Sequence, residues 1–324
     1  TFMAGIILLI AGYFRAGNLI AFVPEAVVSG FTIGIGIIIA TTQLKDFFGF
    51  AVDKVPADFL EKIPVLWEAR STFSLATLGI AITTLILIIM LRRMAPRFPG
   101  LIVAVGLGSA LVALLHLPVD TLGSRFGELP SHLPWPQLPD LSLSRVAELM
   151  PSAFVIAFLA GVESLLSAMV ADKMIAGNHR PNAELTAQGV ANVASALFMG
   201  LPATGAIART ATNIKAGGKT PVAGIIHALV ILLIMLLAAP LAGYLAMPAL
   251  AALLIVVAWN MTEPQKWGEF AKGNKSDLTL LLLTLVLTVI VDLTVAIGVG
   301  VSVGLALRLS RRKAVESDWA APDR

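Results

Sequence analysis

Two carboxylates, two carboxamides and one guanidinium lie within an otherwise apolar stretch, and they are the residues of this chain best suited to chemistry. Glu163 sits near the middle of the apolar run 150–171. Ser167 follows one turn along on the same helical face, and the small residues Gly161, Ser164 and Ala168 surround the pair. Ionisable groups at membrane depth are costly, so they pair with one another or mark a substrate or ion pathway. A carboxyl in this place either hydrogen-bonds a neighbouring helix, or faces a cavity and takes up a proton or a cation. Glu184, Gln188 and Asn192 recur every four residues and so share one helix face. They read first as hydrogen-bonding groups between helices. The break Leu201-Pro202-Ala203-Thr204-Gly205 follows, with Thr204 suited to cap a new helix. The amides of Ala206, Ile207, Ala208 and Arg209 would then offer a positive helix end to an anion. Arg209 adds a permanent planar charge, and Thr210 and Asn213 continue the polar side. Pairing of Arg209 with Glu163 is the structural alternative, and the two roles are compatible. Broken helices of this kind hold anionic substrates in transporters.

The elements that must position these residues are membrane helices. Of 324 residues 57% are hydrophobic and 13% charged, with mean hydropathy +0.89. A soluble domain averages about 25% charged residues. Apolar runs fall near 2–14, 26–44, 73–91, 100–117, 150–171, 185–200, 205–214, 221–243, 245–261, 278–291 and 293–309. Most approach the roughly 20 residues a spanning helix needs, whereas barrel strands are shorter and alternate. The run 205–214 is too short to span and suits a half-helix. Asp292 splits the last two into a tight hairpin. Pro24, Pro99, Pro151, Pro221 and Pro248 stand at helix starts, where a missing N–H costs nothing. The one long polar connection, about 117–149, is rich in proline.

Several function classes are excluded. Without cysteine there is no disulfide framework, thiolate metal site or cysteine nucleophile. The four histidines are scattered and lack ligand spacing, so no metal or other cofactor is expected. A net charge of +3 is too small to be a nucleic-acid footprint. Gly217-Gly218-Lys219-Thr220 ends like a phosphate-binding loop, but Asn213 stands where its first glycine belongs. Enzyme chemistry finds no His, Cys or paired-carboxylate constellation. Gly30-x-x-x-Gly34 and Gly300-x-x-x-Gly304 permit close helix packing and say nothing about substrate.

Basic residues orient the chain. With 92–97 in the cytoplasm, strict alternation also puts Arg15, 172–182, 215–219, 262–277 and the tail after 307 there. That side then carries 16 of the 23 Lys and Arg, which predicts a cytoplasmic C-terminus in the inner membrane. The segments from Pro24 and Pro248 share a pattern of proline, apolar helix and aromatic polar tail, and they enter from opposite sides. Chance and an inverted repeat explain this equally well.

The run from Gly161 to about Met261 resembles the SulP anion transporters, also called solute carrier family 26. The matching parts are GVES, NAELTAQGVANVASALFMGLPATGAIARTATNIKAGGKTPVAG, APLAGYLA and MPALAALLIVVA. The earlier FVPEAVVSGFTIGIGIIIATTQLKDFFG is similar to that family's fifth helix. The resemblance implies an all-α polytopic membrane protein with a 7+7 inverted-repeat transporter fold. It also implies core and gate domains, a broken helix at the site, and a C-terminal STAS domain. The chain then begins in the fourth helix, so it is expected to be a fragment without the first three helices and that domain. Expected boundaries are 1–23, 150–244 (with half-helix 205–214) for the core and 24–117, 245–310 for the gate. An extracellular loop is expected over 118–149 and a cytoplasmic tail over 311–324.

By the same resemblance the anion sits at Ala206, Ile207, Ala208 and Arg209. Several relatives have Ser-Arg where this chain has Ala208-Arg209, so one hydroxyl ligand is absent. Glu163, with Ser167, matches an acidic position that helps hold the cation in sodium-coupled bicarbonate relatives. A glutamate there is compatible with proton coupling. Thr204, Thr210, Asn213, Gln188 and Asn192 are expected as supporting polar groups. The expected function is secondary-active anion transport by alternating access, as proton-coupled symport of a dicarboxylate such as fumarate. Sodium-coupled bicarbonate or sulfate transport, a passive anion channel and a nucleobase permease of similar fold are the alternatives. The partners are a small inorganic or organic anion, a coupling proton or sodium ion and the lipid bilayer. A homodimer through the STAS domain is allowed.

Overall fold

The computed structural model describes residues 1–20, 24–52, 54–95, 99–127, 131–264, 267–291, 295–296, 298–300 and 302–304. Asp292, the 311–324 tail and most of 293–309 lie outside the described residues. In chain order the helices are α1 (Phe2–Tyr13), α2 (Gly17–Ile20), α3 (Glu25–Phe48), α4 (Phe59–Glu68), α5 (Leu75–Met94), α6 (Gly100–Leu114) and α7 (Leu122–Phe126). They continue as α8 (Leu143–Ile175), α9 (Pro181–Leu197), α10 (Ile207–Lys215), α11 (Val222–Ala242), α12 (Met247–Met261), α13 (Trp267–Lys272) and α14 (Lys275–Ile290). Among the described residues, helices α3, α5, α8 and α11 are long and apolar enough to cross a membrane.

The chain divides into two compact units. One comprises residues 1–25, 133–232 and 297–324, the other 26–132 and 233–296. In the first unit α1 lies along α9, and glycines make the approach possible. A Cβ on Gly5 would fall 2.8 Å from the Val193 nitrogen, and one on Gly189 would fall 2.8 Å from the Gly5 oxygen. Lipid tails are as apolar as leucine, so small residues and packing hold membrane helices together. Ala4, Leu8, Ala157, Ala160, Leu165 and Leu185 form the buried centre of this unit.

In the second unit α12 packs on α5 and α6 through Ile80, Ile88, Val105, Ala249 and Ala252. Gly30-x-x-x-Gly34 brings α3 against α14, where a Cβ on Gly34 would lie 2.7 Å from the Thr288 side chain. Between the starts of α7 and α12, Leu122 N and Gly123 N donate to Leu245 O and Gly243 O, and Met247 N donates to Asp120 O. Arg125 fastens this pairing, with Nη1 2.7 Å from Asp46 and Nη2 2.8 Å from Asp120.

Some expected boundaries move. α8 begins at Leu143, so Pro151 lies inside the helix and not at its start. The early turns are a polar, exposed helix held by the Arg145–Glu148 pair, which hydropathy alone misses. The 118–149 connection therefore carries α7 and the first turns of α8. α9 starts at Pro181, a proline in the first helical turn. Pro248 likewise lies in the first turn of α12, as its second residue, and Pro99 is the N-cap of α6.

Candidate functional site

α8, α9, α10 and the break between the last two belong to one unit and supply the candidate site residues. α9 ends at Leu197, with Met199 in the left-handed region at φ 57°. The chain then runs without helix through 200–206 before α10 begins. Such a segment frees backbone groups that must find partners, since lipid offers none. The face of α9 that carries Glu184, Gln188 and Asn192 provides them.

Asn192 is fully buried. Its Nδ2 donates to Ala203 O at 2.9 Å, and its Oδ1 accepts from Ala203 N at 2.9 Å. One carboxamide thus meets both polar groups of a single residue, as a neighbouring strand would. Gln188 Nε2 donates to the same carbonyl. Ser195 Oγ donates to Leu201 O at 2.8 Å. Ser195 was not among the residues singled out, although it continues the 184–188–192 face by three residues and that spacing points to it. Glu184 instead joins α8, accepting from Ser164 Oγ at 2.9 Å.

The break also rests on α8. Thr204 does not cap α10. Its hydroxyl donates to Ala160 O at 3.1 Å, while the N-cap is Ala206, which has no side-chain acceptor. The extra residues of the break put Thr204 against α8, out of reach of the first turn of α10. Gly205 makes this contact possible, since a Cβ there would lie 2.9 Å from the Ser164 Cα and 3.3 Å from the Ser167 Cβ. Ser167 is buried, and its hydroxyl lies 2.7 Å from Thr210 Oγ1. Both hydroxyls are therefore engaged with each other, one turn into α10. Asn213 sits in the last turn, where its carbonyl accepts from Gly218 N. It belongs to the far end of the half-helix, away from Ala206.

What remains open is the start of α10. The amides that begin any helix have no partner within it. Here no N-cap side chain takes them up, and Thr210 N, donating to Ala206 O at 2.9 Å, is the first amide of α10 past them to meet a carbonyl of its own turn. Arg209 and Glu163 are both exposed, although Ala160, Val162, Ser164, Leu165 and Ser167 around Glu163 are buried. Among the described residues no ion pair joins them, yet they are near enough for the charge of Arg209 to act on Glu163. The Ala208 side chain lies outside the described residues. A helix end without a side-chain cap, an arginine in its first turn and a carboxyl on the helix beside it can hold an anion together with a proton or cation.

Known proteins share this arrangement of helices. The chain is 41% identical over 285 residues to the putative sulfate transporter YvdB of Bacillus subtilis, matching 87% of this chain and 54% of that protein. It is 33% identical over 267 residues to the bicarbonate transporter BicA of Synechocystis, matching 82% of this chain and 46% of that protein. The chain thus spans about half the length of the curated relatives it matches. The transmembrane domain of a cyanobacterial BicA superposes with a TM-score of 0.80 at 32% identity, covering 92% of this chain and 75% of that one. The SLC26A9 structure gives 0.84 at 19% identity, covering 95% of this chain and 50% of that one, a likeness of fold alone. These relatives are transporters, and the fold is that of an all-α polytopic anion transporter. The model of the sulfate permease family matches residues 1–284, and the chain belongs to that family, the SulP or solute carrier 26 anion transporters.

Proposed function

We propose that the protein of which this chain is part is a secondary-active carrier of small anions, and that the anion binds at the start of α10. The observation that carries this is a nine-residue half-helix beginning at Ile207 with no side-chain cap, Arg209 in its first turn and Glu163 on the adjoining α8. Backbone amides of Ile207, Ala208 and Arg209 and the guanidinium bind the anion. Glu163 carries the coupling proton or sodium ion, and Gln188 and Asn192 keep the break in shape. The relatives named for sulfate and bicarbonate favour a small oxyanion, with a dicarboxylate such as fumarate as the competing substrate. The two compact units correspond to core and gate, and the C-terminus is cytoplasmic in the inner membrane.

Uptake of radiolabelled sulfate, bicarbonate and fumarate by the full-length protein in liposomes tests this, with and without pH and sodium gradients. Accumulation against a gradient is expected for one of them, and flux that only equilibrates would make the protein a channel. A charge-assisted hydrogen bond contributes about 1.5–3 kcal/mol, so Arg209→Ala should weaken the anion roughly 10- to 150-fold. Arg209→Lys should restore only part, because the planar fork is lost. Glu163→Gln should abolish concentrative uptake and leave anion exchange. Wild-type affinity in Arg209→Ala would move the site elsewhere.

A further inference from the structure

Transport as proposed leaves Glu184 without a task, yet its contacts are one proton short. Glu184 stands in the first turn of α9, half-buried, and meets Ser164 of α8, which is 1% exposed. The Ser164 hydroxyl oxygen lies 2.9 Å from Glu184 Oε1 and 3.3 Å from Gln188 Oε1. The Gln188 amide cannot turn to offer its nitrogen, because Nε2 donates to Ala203 O, which only accepts. Three oxygens therefore stand in a row with one hydroxyl proton among them. With Glu184 ionised, Ser164 donates to the carboxylate and meets Gln188 Oε1 lone pair to lone pair. With Glu184 protonated, the carboxyl donates to Ser164 Oγ, and the Ser164 hydroxyl is free to donate to Gln188 Oε1. Only then are both contacts full hydrogen bonds.

That chain ends on the break. Gln188 and Asn192 both donate to the Ala203 carbonyl, and Gly205 packs on Ser164 itself. Among the described residues Glu184 has no ion pair. A helix start suits a carboxylate, and the row of acceptors suits an acid, so each protonation state has its own support. Of the helices packed on α9, α1 and α2 carry no charged side chain, and Tyr13 of α1 is exposed. α8 brings Glu163 beside Ser164, Asp172 held 2.7 Å from His179 and, at its far end, the Arg145–Glu148 pair. The Lys173 side chain lies outside the described residues, and Arg180, the N-cap of α9, is exposed. We propose that Glu184 is a positioning residue of the anion site that works as a carboxylic acid, its proton completing the chain Glu184–Ser164–Gln188–Ala203 that sets the break. The inference rests on the reading that the anion binds at the start of α10.

Two measurements on the full-length protein in lipid discs test this without any anion. Infrared difference spectra across pH should show a carboxylic acid carbonyl band that Glu184→Gln removes and Glu163→Gln keeps. Hydrogen–deuterium exchange, relative to the intrinsic rate at each pH, reads the protection of residues 200–206. Glu184→Gln supplies an N–H where the acid has its O–H, so it should protect this segment at every pH. The wild type should match it while the band is present. As the band fades, protection should fall roughly 2- to 10-fold, the worth of one neutral hydrogen bond. Glu184→Ala should lack that protection throughout, and Ser164→Ala repeats the test if it does not fold. No band lost with Glu184→Gln, Glu184→Gln no better protected than Glu184→Ala, or wild-type protection that outlasts the band would each overturn the proposal. Affinity for whichever of sulfate, bicarbonate and fumarate the wild type takes up should follow the protection. The expected band and protection with that affinity unmoved in Glu184→Ala would instead displace the anion from α10.

Discussion

The seam around the α9–α10 break and the seam where α3 meets α14 solve opposite problems. At the break the backbone loses its helical partners, and side chains from α8 and α9 replace them: Asn192 and Gln188 on Ala203, Ser195 on Leu201, and Thr204 on Ala160. Between α3 and α14 no helix is broken, and polar side chains turn inward to their own helix. Thr32, Thr284 and Thr288 donate to the carbonyls four residues back, at 2.8, 2.9 and 2.7 Å. There Gly30 and Gly34 make the contact. Polar residues in these two seams therefore differ in worth. In one they hold the chain's path, and in the other they satisfy only themselves.

The largest expected effect tests that difference. Asn192→Leu strands the amide of Ala203, whose carbonyl keeps Gln188 Nε2, and stability should fall by about 1–3 kcal/mol, the cost of one unmet group. Thr288→Val removes a hydroxyl that bonds only its own helix, and should change stability by less than about 0.5 kcal/mol. Urea or thermal unfolding in lipid discs measures both, and equal losses would erase the contrast. Next come the glycines. Gly205→Val should drive the break off α8, and Gly30→Val should drive α3 off the Leu281 carbonyl, each costing about 1–3 kcal/mol as overpacking does. Only the first should also impair anion uptake.

A smaller effect of opposite sign is expected at Thr84, whose hydroxyl is fully buried without a hydrogen-bond partner. Thr84→Val should leave stability unchanged or raise it by up to about 1 kcal/mol, because nothing is lost with the hydroxyl. Lys62 sharpens the comparison through pH. It is 2% exposed on α4, and its Nζ donates to Thr42 Oγ1 at 2.9 Å. Burial lowers its pKa, and the nearby Asp58 carboxylate opposes that shift only in part. The folded state therefore binds this proton less well than the unfolded one does. The stability cost of Lys62 is fully present below its folded pKa and fades as pH rises toward the unfolded lysine value of about 10.4. Lys62→Met should be more stable than wild type at neutral pH, with the gap closing toward pH 10–11. A gap independent of pH would make the effect one of packing.

Hydropathy and proline placement made the long helices and the half-helix legible, because both follow from local composition. The polar start of α8 escaped, since Leu143–Leu149 is helical by propensity and exposed by position, and neither shows as an apolar run. The 184–188–192 spacing revealed a polar face but not what it touches. Its partner, Ala203, offers only backbone, which any residue would. Thr204 misled for a similar reason. A hydroxyl before a helix suits a cap or a neighbouring carbonyl equally, and only the packing of Gly205 on α8 decides. Arg125 carried no signal at all, because the carboxylates it joins lie 79 and 5 residues away.

The divided second unit has a consequence for how the protein is made. α5 and α6 leave the ribosome early, but α12, which packs on both, follows only after residues 133–232, and the pairing of 120–123 with 243–247 waits as long. At about 5–20 residues per second this interval lasts roughly 5–20 s. Throughout it the apolar faces of α5 and α6 lie in the membrane without their partner. The nascent chain is then most open to insertion factors and quality-control proteases, before Arg125 and the α12 seam close it.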